Sequence, residues 1–574
     1  MMRPLSRLAL LLMALGPFGA AVAHAQLAVL NSNVPAGFAI TGFIQAATLK
    51  PGGAANAGGT LTVNNITITV PDNMVVQMPA HPLTWAQLFD TKQSTPVHDN
   101  ALPPQPVPPI THPTTNSLGQ PITGLALADA PTAGPGGGAL LGAGFPSVEV
   151  TVLGNIDTKG ASGNPPGSYI AALILPISQE IANAGAGFIT AIDYAKGRLE
   201  VNGKLNQLGT GSVVEINDPV GRYGFAHSPD PRFTADTDNP TVTSGNGYPM
   251  GVPKVAPPAI DPDRPLFNRP LNPAPGAPGH DPFLQANAPL MSFSMPAKAA
   301  PNQPGDTTPD PWKQAPFMVG DFITYSGTLL KFDPNAPVTP FNPAAPVSAT
   351  NRPMSQQFYV SANAVEAEKV EIVTAPGTVA QAGPAYMVLG RGVVGTGGTS
   401  LTVPPNPALG IQGGNIPVEL RQNITIRGFV TDPTQLVDIF AVDVNPAVGG
   451  EGTPRLLGTV LPEPGFPGRG NRGRFRFDVG RGNFLPVTRQ YMARTHHGQK
   501  QLDDQKGLNN GKLEGLISGQ YEAPMFDYQI ADAPPGFPVS PSNFNAFPFL
   551  VNGEGNQGDL GTVGPLTPFP PSTP

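Results

Sequence analysis

The sequence predicts an all-β protein: small barrel-like repeats followed by an immunoglobulin-like β-sandwich, with long Pro/Gly-rich loops between strands. Three observations carry that prediction. Glycine and proline, 68 and 73 of 574 residues, interrupt the chain about every 8–12 residues, the spacing of turns in strand-rich proteins. Short runs of β-branched and aromatic residues fill the intervals. Helical periodicity is nearly absent, and its clearest stretch is residues 84–89, where Thr84 stands at the capping position.

Residues 1–25 read as a secretory signal peptide. Arg3 and Arg7 form a basic head, residues 8–22 are apolar, and Ala23-His24-Ala25 is a small-x-small cleavage site. Gly16, Pro17 and Gly19 break the apolar stretch well short of the ~20 residues that a membrane-spanning helix needs. Cleavage at about Ala25 leads to a secreted or periplasmic chain without a transmembrane segment. It also removes two arginines, which takes the formal charge two units below the −7 of the full chain. A mildly acidic chain without a basic block is not built to bind nucleic acid. The chain has no cysteine, so disulfides, thiolate metal sites and thiol nucleophiles are excluded. Stability then rests on apolar cores, and 40% hydrophobic residues with 28 Phe supply the material.

Residues 26–184 and 185–375 read as two barrel-like domains. Gly42-Phe43-Ile44-Gln45-Ala46 recurs as Gly187-Phe188-Ile189-Thr190-Ala191, and Leu61-Thr62-Val63-Asn64 as Leu199-Glu200-Val201-Asn202. Each copy continues into an alternating strand, Ile66 to Val70 in one and Ser212 to Ile216 in the other. Later strands of the second copy follow around Val319 to Leu329 and Tyr359 to Ile372. A Pro-rich insert, residues 225–316, separates them. Its composition predicts an extended, surface-hugging loop with few core contacts.

From about Ile416 the apolar residues alternate with polar ones, ending in Arg474-Phe475-Arg476-Phe477-Asp478-Val479, which sets Phe475, Phe477 and Val479 on one face. Such alternation belongs to an antiparallel sheet with one solvated side. Residues 376–487 are therefore assigned to the sandwich. Residues 488–574 are assigned to a C-terminal β segment and an unstructured Pro/Gly-rich tail.

Gly187-Phe188-Ile189, Gly197-Arg198-Leu199-Glu200-Val201, the run from Ile216 to Gly224 and Asp230-Pro231-Arg232-Phe233 resemble an uncharacterised family of secreted β-rich proteins. The strand pattern from Val319 to Gly327 resembles exported bacterial domains with small oligonucleotide-binding-type barrels. The resemblance spans residues 40–530, implies repeats of that barrel, and brings no activity. Family members hold cysteines near the segment matching Pro249-Met250-Gly251-Val252-Pro253, where this chain has none, so no disulfide or metal role carries over.

Signatures of catalysis are few. Gly390-Arg391-Gly392-Val393-Val394-Gly395 and Gly468-Arg469-Gly470-Asn471-Arg472-Gly473 match G-x-G-x-x-G, but no helix follows either to face a pyrophosphate. His496 and His497 are adjacent and point to opposite sides of a strand. Glu149, Glu200, Glu215 and Asp218 are candidate paired acids on or near strands, expected to face solvent. Asp230, Asp236 and Asp238, followed by Asp261 and Asp263, are candidate calcium ligands that would clamp the Pro-rich insert. No other cofactor is implied. The expectation is an exported, non-catalytic structural or binding protein, with a cell-surface glycan or a second copy of itself as partner. Two alternatives stand beside it: a carbohydrate-active hydrolase with its site among the long loops, and a surface protein assembling through strand edges.

Overall fold

The computed structural model describes residues 36–89, 118–176 and 184–529, with breaks inside each stretch, the longest at 130–147 and 497–517, and two short strands in the tail. Residues 1–25, with the expected signal peptide, lie outside the described residues, as do Asp238, His497 and Val479. The fold is all-β, and its helices among the described residues are 3₁₀ turns of three or four residues. The stretch read as a helix at 84–89 is one of these. The Thr84 N–H donates to Gln87 Oε1 at 2.7 Å and Gln87 N–H donates to Thr84 Oγ1 at 3.3 Å, a reciprocal cap on a single turn.

The first barrel begins with a meander, β1 (Ala36–Leu49), β2 (Gly59–Val63) and β3 (Ile66–Val70). A hairpin, β4 (Val75–Gln77) and β5 (Pro82–Thr84), follows, then β6 (Glu149–Asp157) and β7 (Ser168–Leu175). β6 pairs antiparallel with β1 and with β7, and parallel pairing of β3 with β7 closes the sheet. Period-two alternation points Leu61, Val63, Ile68, Val70, Val150 and Val152 inward, where all are fully buried.

The second barrel repeats this pairing. β8 (Gly185–Asp193), β9 (Arg198–Val201) and β10 (Ser212–Ile216) form its meander. The insert then carries β11 (Val242–Ser244), β12 (Met250–Gly251), β13 (Ser292–Ser294) and β14 (Ala315–Pro316). The barrel resumes with β15 (Phe322–Lys331) and β16 (Phe358–Ala367), and β17 (Glu371–Val373) pairs with β13. β15 pairs antiparallel with β8 and β16, and β10 closes on β16 in parallel. The likeness extends to single residues. Asn64 and Asn202 both turn in the left-handed region, φ 51° and 60°, and their carboxamides donate to the carbonyls of Thr41 and Ala186. Each lies against a glycine that leaves it room: a Cβ at Gly42 or Gly187 would stand 2.4 or 2.1 Å from the Asn Oδ1. Both meanders bulge just beyond, at Ile44/Ala46 and Ile189/Ala191.

The insert differs from its expected form. Tyr248, Met250, Val252 and Ala315 belong to the core of the second barrel, and Arg222, Arg232, Arg264 and Arg269 are no more than 1% exposed. The physical reason is the proline itself. A Pro-rich backbone has fewer N–H donors than carbonyl acceptors, so its carbonyls need side-chain donors once buried. Asn268 Nδ2 serves the carbonyls of Asp310, Lys313 and Gln314, and Asn272 Nδ2 those of Asp281, Leu284 and Gln285. Arginine, with five N–H donors, does the same at Arg222 O and Pro316 O.

The third unit is a pair of sheets around one core. Its strands are β18 (Met387–Gly395), β19 (Ser400–Val403), β20 (Gly414–Pro417), β21 (Ile424–Val430), β22 (Val437–Asp443), β23 (Thr453–Val460), β24 (Arg474–Asp478), β25 (Gln490–Thr495), β26 (Gln520–Pro524) and β27 (Asp527–Gln529). One sheet has the order β24-β21-β18-β27, the other β23-β22-β25-β26, and β19 pairs with β20 alone. Phe475 is buried between the sheets, whereas Phe477 is half-buried with its ring on Gly458. The boundary placed at residue 487 is corrected: β25, β26 and β27 complete these sheets, because the core of the pair needs Tyr491, Ala493 and Tyr521.

Candidate functional site

The closure of the second barrel sets polar side chains side by side on its outer face. β10 sends Val214 and Ile216 inward, so Glu215 points out. Its register partners are Arg198 on β9 and Ser361 on β16, and Ser361 in turn faces Thr328 on β15. Thr328, Ser361, Glu215 and Arg198 thus form one row across four strands. A neighbouring row holds Leu330, Tyr359 and Val213, which pack together with the Phe332 ring.

Residues 217–235 fold over these rows. Asp218 makes the turn, accepting the N–H groups of Gly221 at 3.1 Å and Tyr223 at 2.7 Å, and it bridges to His227 through both backbones. His227 is thereby held between two partners: Nδ1 is 3.5 Å from Glu215 Oε1 and Nε2 is 3.2 Å from the Tyr359 hydroxyl. A carboxylate only accepts, so the neutral ring carries its proton on Nδ1 and accepts the phenol proton at Nε2. Arg198 Nε closes the set, 3.0 Å from Glu215 Oε2, with its guanidinium 4.6 Å from the centre of the Phe332 ring. Phe332 stacks on Tyr359 with centroids 4.9 Å apart.

Burial decides the electrostatics. It pushes the His227 pKa below its ordinary value, with Glu215 pulling it back up and Arg198 adding to the depression. Burial also pushes the Tyr359 phenol far up, and the Glu215 charge adds to that. At neutral pH the site therefore holds a neutral imidazole, a neutral phenol and one compensated ion pair. Chemically this is a partly buried polar joint: the Glu215 carboxylate already carries an arginine, and burial keeps the Tyr359 phenol protonated.

No known family, curated protein or solved structure matches this chain.

The other expected site residues are placed as follows. The Asp230 carboxylate takes Arg232 at 2.7 Å while also capping the turn at Arg232 N, so a guanidinium stands where a calcium ion would have to sit. Asp236 holds Asn239 through its N–H and its carboxamide, at 3.1 and 2.8 Å. Asp261 holds Arg264 at 3.1 Å; burial raises its pKa, but Arg264 and backbone N–H groups outweigh that and leave it lowered. The expectation that Glu200, Glu215 and Asp218 face solvent is overturned, since all are buried. Glu200 accepts the N–H groups of Gly209, Thr210 and Gly211, which tie down the β9–β10 loop. Glu149 is half-buried opposite Phe43. His496 lies 3.0 Å from Asp438 on the sandwich, and Gly390 to Gly395 continue β18 as strand. Sequence reasoning missed His227 and Tyr359. The one available signal was the Asp218-Pro219-Val220-Gly221 turn, which returns the chain over β10.

Proposed function

We propose that this chain is an exported, non-catalytic binding protein whose barrels present aromatic rings to a cell-surface glycan. The observation that carries the reading is the pair Phe43 and Phe188. They occupy the same position in two barrels of one strand pairing, next to Gly42 and Gly187, and are 40% and 55% exposed. A single exposed ring needs no explanation, but the same ring at the same position of two barrels is a repeated feature that a ligand can use. Phe188 stands edge-on to Phe322 at 5.2 Å, with the Lys369 ammonium 6.0 Å from the Phe322 ring, while Phe43 faces Glu149 across the strands. A ring flanked by one charge suits the apolar face of a sugar and its hydroxyls. The signal-peptide pattern at residues 1–25 supports export. The shared pairing of the barrels supports the oligonucleotide-binding-type reading and an origin by duplication, and the paired sheets of residues 387–529 support the immunoglobulin-like one.

Sedimentation of the mature chain with insoluble cell-wall polysaccharide tests the proposal. Wild type co-sediments, and Phe188→Ala and Phe43→Ala each lower the bound fraction severalfold with unchanged melting temperature. Release of reducing sugar would replace this reading with the hydrolase. Concentration-dependent assembly without glycan binding would replace it with the self-associating surface protein.

A further inference from the structure

Residues 217–235 and the barrel strands they cover hold five side-chain oxygens without a hydrogen-bond partner among protein atoms: Asn217 Oδ1, Ser228 Oγ, Thr234 Oγ1, Thr328 Oγ1 and Ser361 Oγ. Their residues are at most 6% exposed. Buried polar groups are almost always bonded, so five bare oxygens in one region point to a group that bonds them.

Register brings them to one place. Thr328 and Ser361 are direct partners across β15 and β16, and both point away from the barrel interior, yet their hydroxyls do not bond each other. Ser361 is beside Glu215, and the next outward position along β10 is Asn217. The antiparallel bridge between Asp218 and His227 sets Ser228 opposite Asn217. Asn217 Nδ2 donates to the carbonyls of Asp230 and Phe233, which leaves Oδ1 bare, and Thr234 is the residue after Phe233.

The chemistry of the lining selects the occupant. Four of the bare groups are hydroxyls, which donate and accept, and the fifth is a carboxamide oxygen, which accepts. Glu215, the carboxylate of this face, is already neutralised by Arg198. A divalent cation would find a single carboxylate nearby, already paired with Arg198, whereas such ions draw on several. A neutral donor–acceptor such as water suits every group. We infer that the outer face of the second barrel holds an internal water site, lined by Thr328, Ser361, Asn217 and Ser228, and that this water seats residues 217–235 on the barrel. The same residues carry Arg232, whose Nη1 donates to Leu88 O at 2.8 Å and Thr123 O at 2.9 Å in the first barrel. The segment that the water seats therefore also joins the two barrels.

The experiment turns on a sign. Thr328→Val keeps the shape and removes the hydroxyl. With water bound, the substitution strips it of a partner, so the melting temperature of the mature chain falls by several degrees, and Thr328→Ser restores most of the loss. With an empty site, Thr328→Val removes a bare buried hydroxyl and the melting temperature rises, which would overturn the proposal. A crystal structure supplies the second readout. It shows water density within hydrogen-bonding distance of Ser361 Oγ in wild type, and none in Thr328→Val/Ser361→Ala. A melting temperature raised tenfold more by sodium or calcium chloride than by choline chloride at matched ionic strength would also overturn it, in favour of an ion.

Discussion

Arg232 is no more solvated than a core leucine, and it is charged. Such a group is tolerated because each of its three nitrogens has a destination: Asp230 takes Nε and Nη2, and two carbonyls of the first barrel take Nη1. Arg269 pairs with both oxygens of Asp321, at 2.8 and 2.7 Å, and its Nε has no partner among the described residues. Of the two aspartates, Asp230 alone reads in the sequence as a candidate metal ligand. Its pairing with Arg232 does not show there, because Asp230-Pro231-Arg232 reads as a turn until the fold buries it. His227 yields a prediction at the same scale. Its folded pKa lies below that of the unfolded chain, chiefly through burial. The unfolded state therefore binds the extra proton first, and stability is lost as pH falls through about 6.5 and below. His227→Gln keeps a polar ring-sized partner for Tyr359 and does not titrate. Melting temperatures between pH 7.5 and 5 should fall more steeply for wild type than for His227→Gln. Parallel slopes would place the acid sensitivity elsewhere.

Strands were the most legible elements, since inward and outward residues alternate whether the sheet is open or closed. Leu199, Val201, Val214 and Ile216 announced a buried face before any pairing was known, and all are buried. What alternation lacks is the partner strand. Glu215 reads as a solvated acid on β10 alone; the parallel closure onto β16 and the turn at Asp218 bury it. The sandwich shows the same limit. Arg474 to Asp478 alternate as read, but Phe475 is between the sheets and Phe477 is near their rim on Gly458. Phe475→Ala should then cost ~3–5 kcal/mol, as for a fully buried ring, and Phe477→Ala clearly less. Arg476→Ala, exposed beside Asp478, should cost under about 0.5 kcal/mol. Urea unfolding of the mature chain measures all three. A cost for Phe477→Ala equal to that of Phe475→Ala would contradict the packing.

Across the whole molecule, the barrels and the insert form a single structure, and composition alone pointed the other way. Proline and glycine suggested a segment at 225–316 that hugs the surface, where a protease would cut first. Burial reverses that expectation. Tyr248 and Tyr386 pack edge to face at 5.1 Å, and the Tyr386 hydroxyl donates to Pro311 O at 2.8 Å, so the insert ties the barrel core to the start of the sandwich. Trp312 is buried as well, and its Nε1 donates to Lys298 O at 2.8 Å. Cleavage requires a segment to leave its contacts and enter a protease cleft, and here that would uncover Arg264 with Asp261 and Arg269 with Asp321 together. Opening the insert therefore approaches unfolding of the second barrel itself. Limited proteolysis of the chain should leave residues 217–321 in one protected fragment. Protection should be lost in Arg269→Ala, which leaves the buried Asp321 carboxylate without its ion partner. Early cuts between 225 and 316 in the wild-type chain would restore the surface-loop reading and remove the insert from the core.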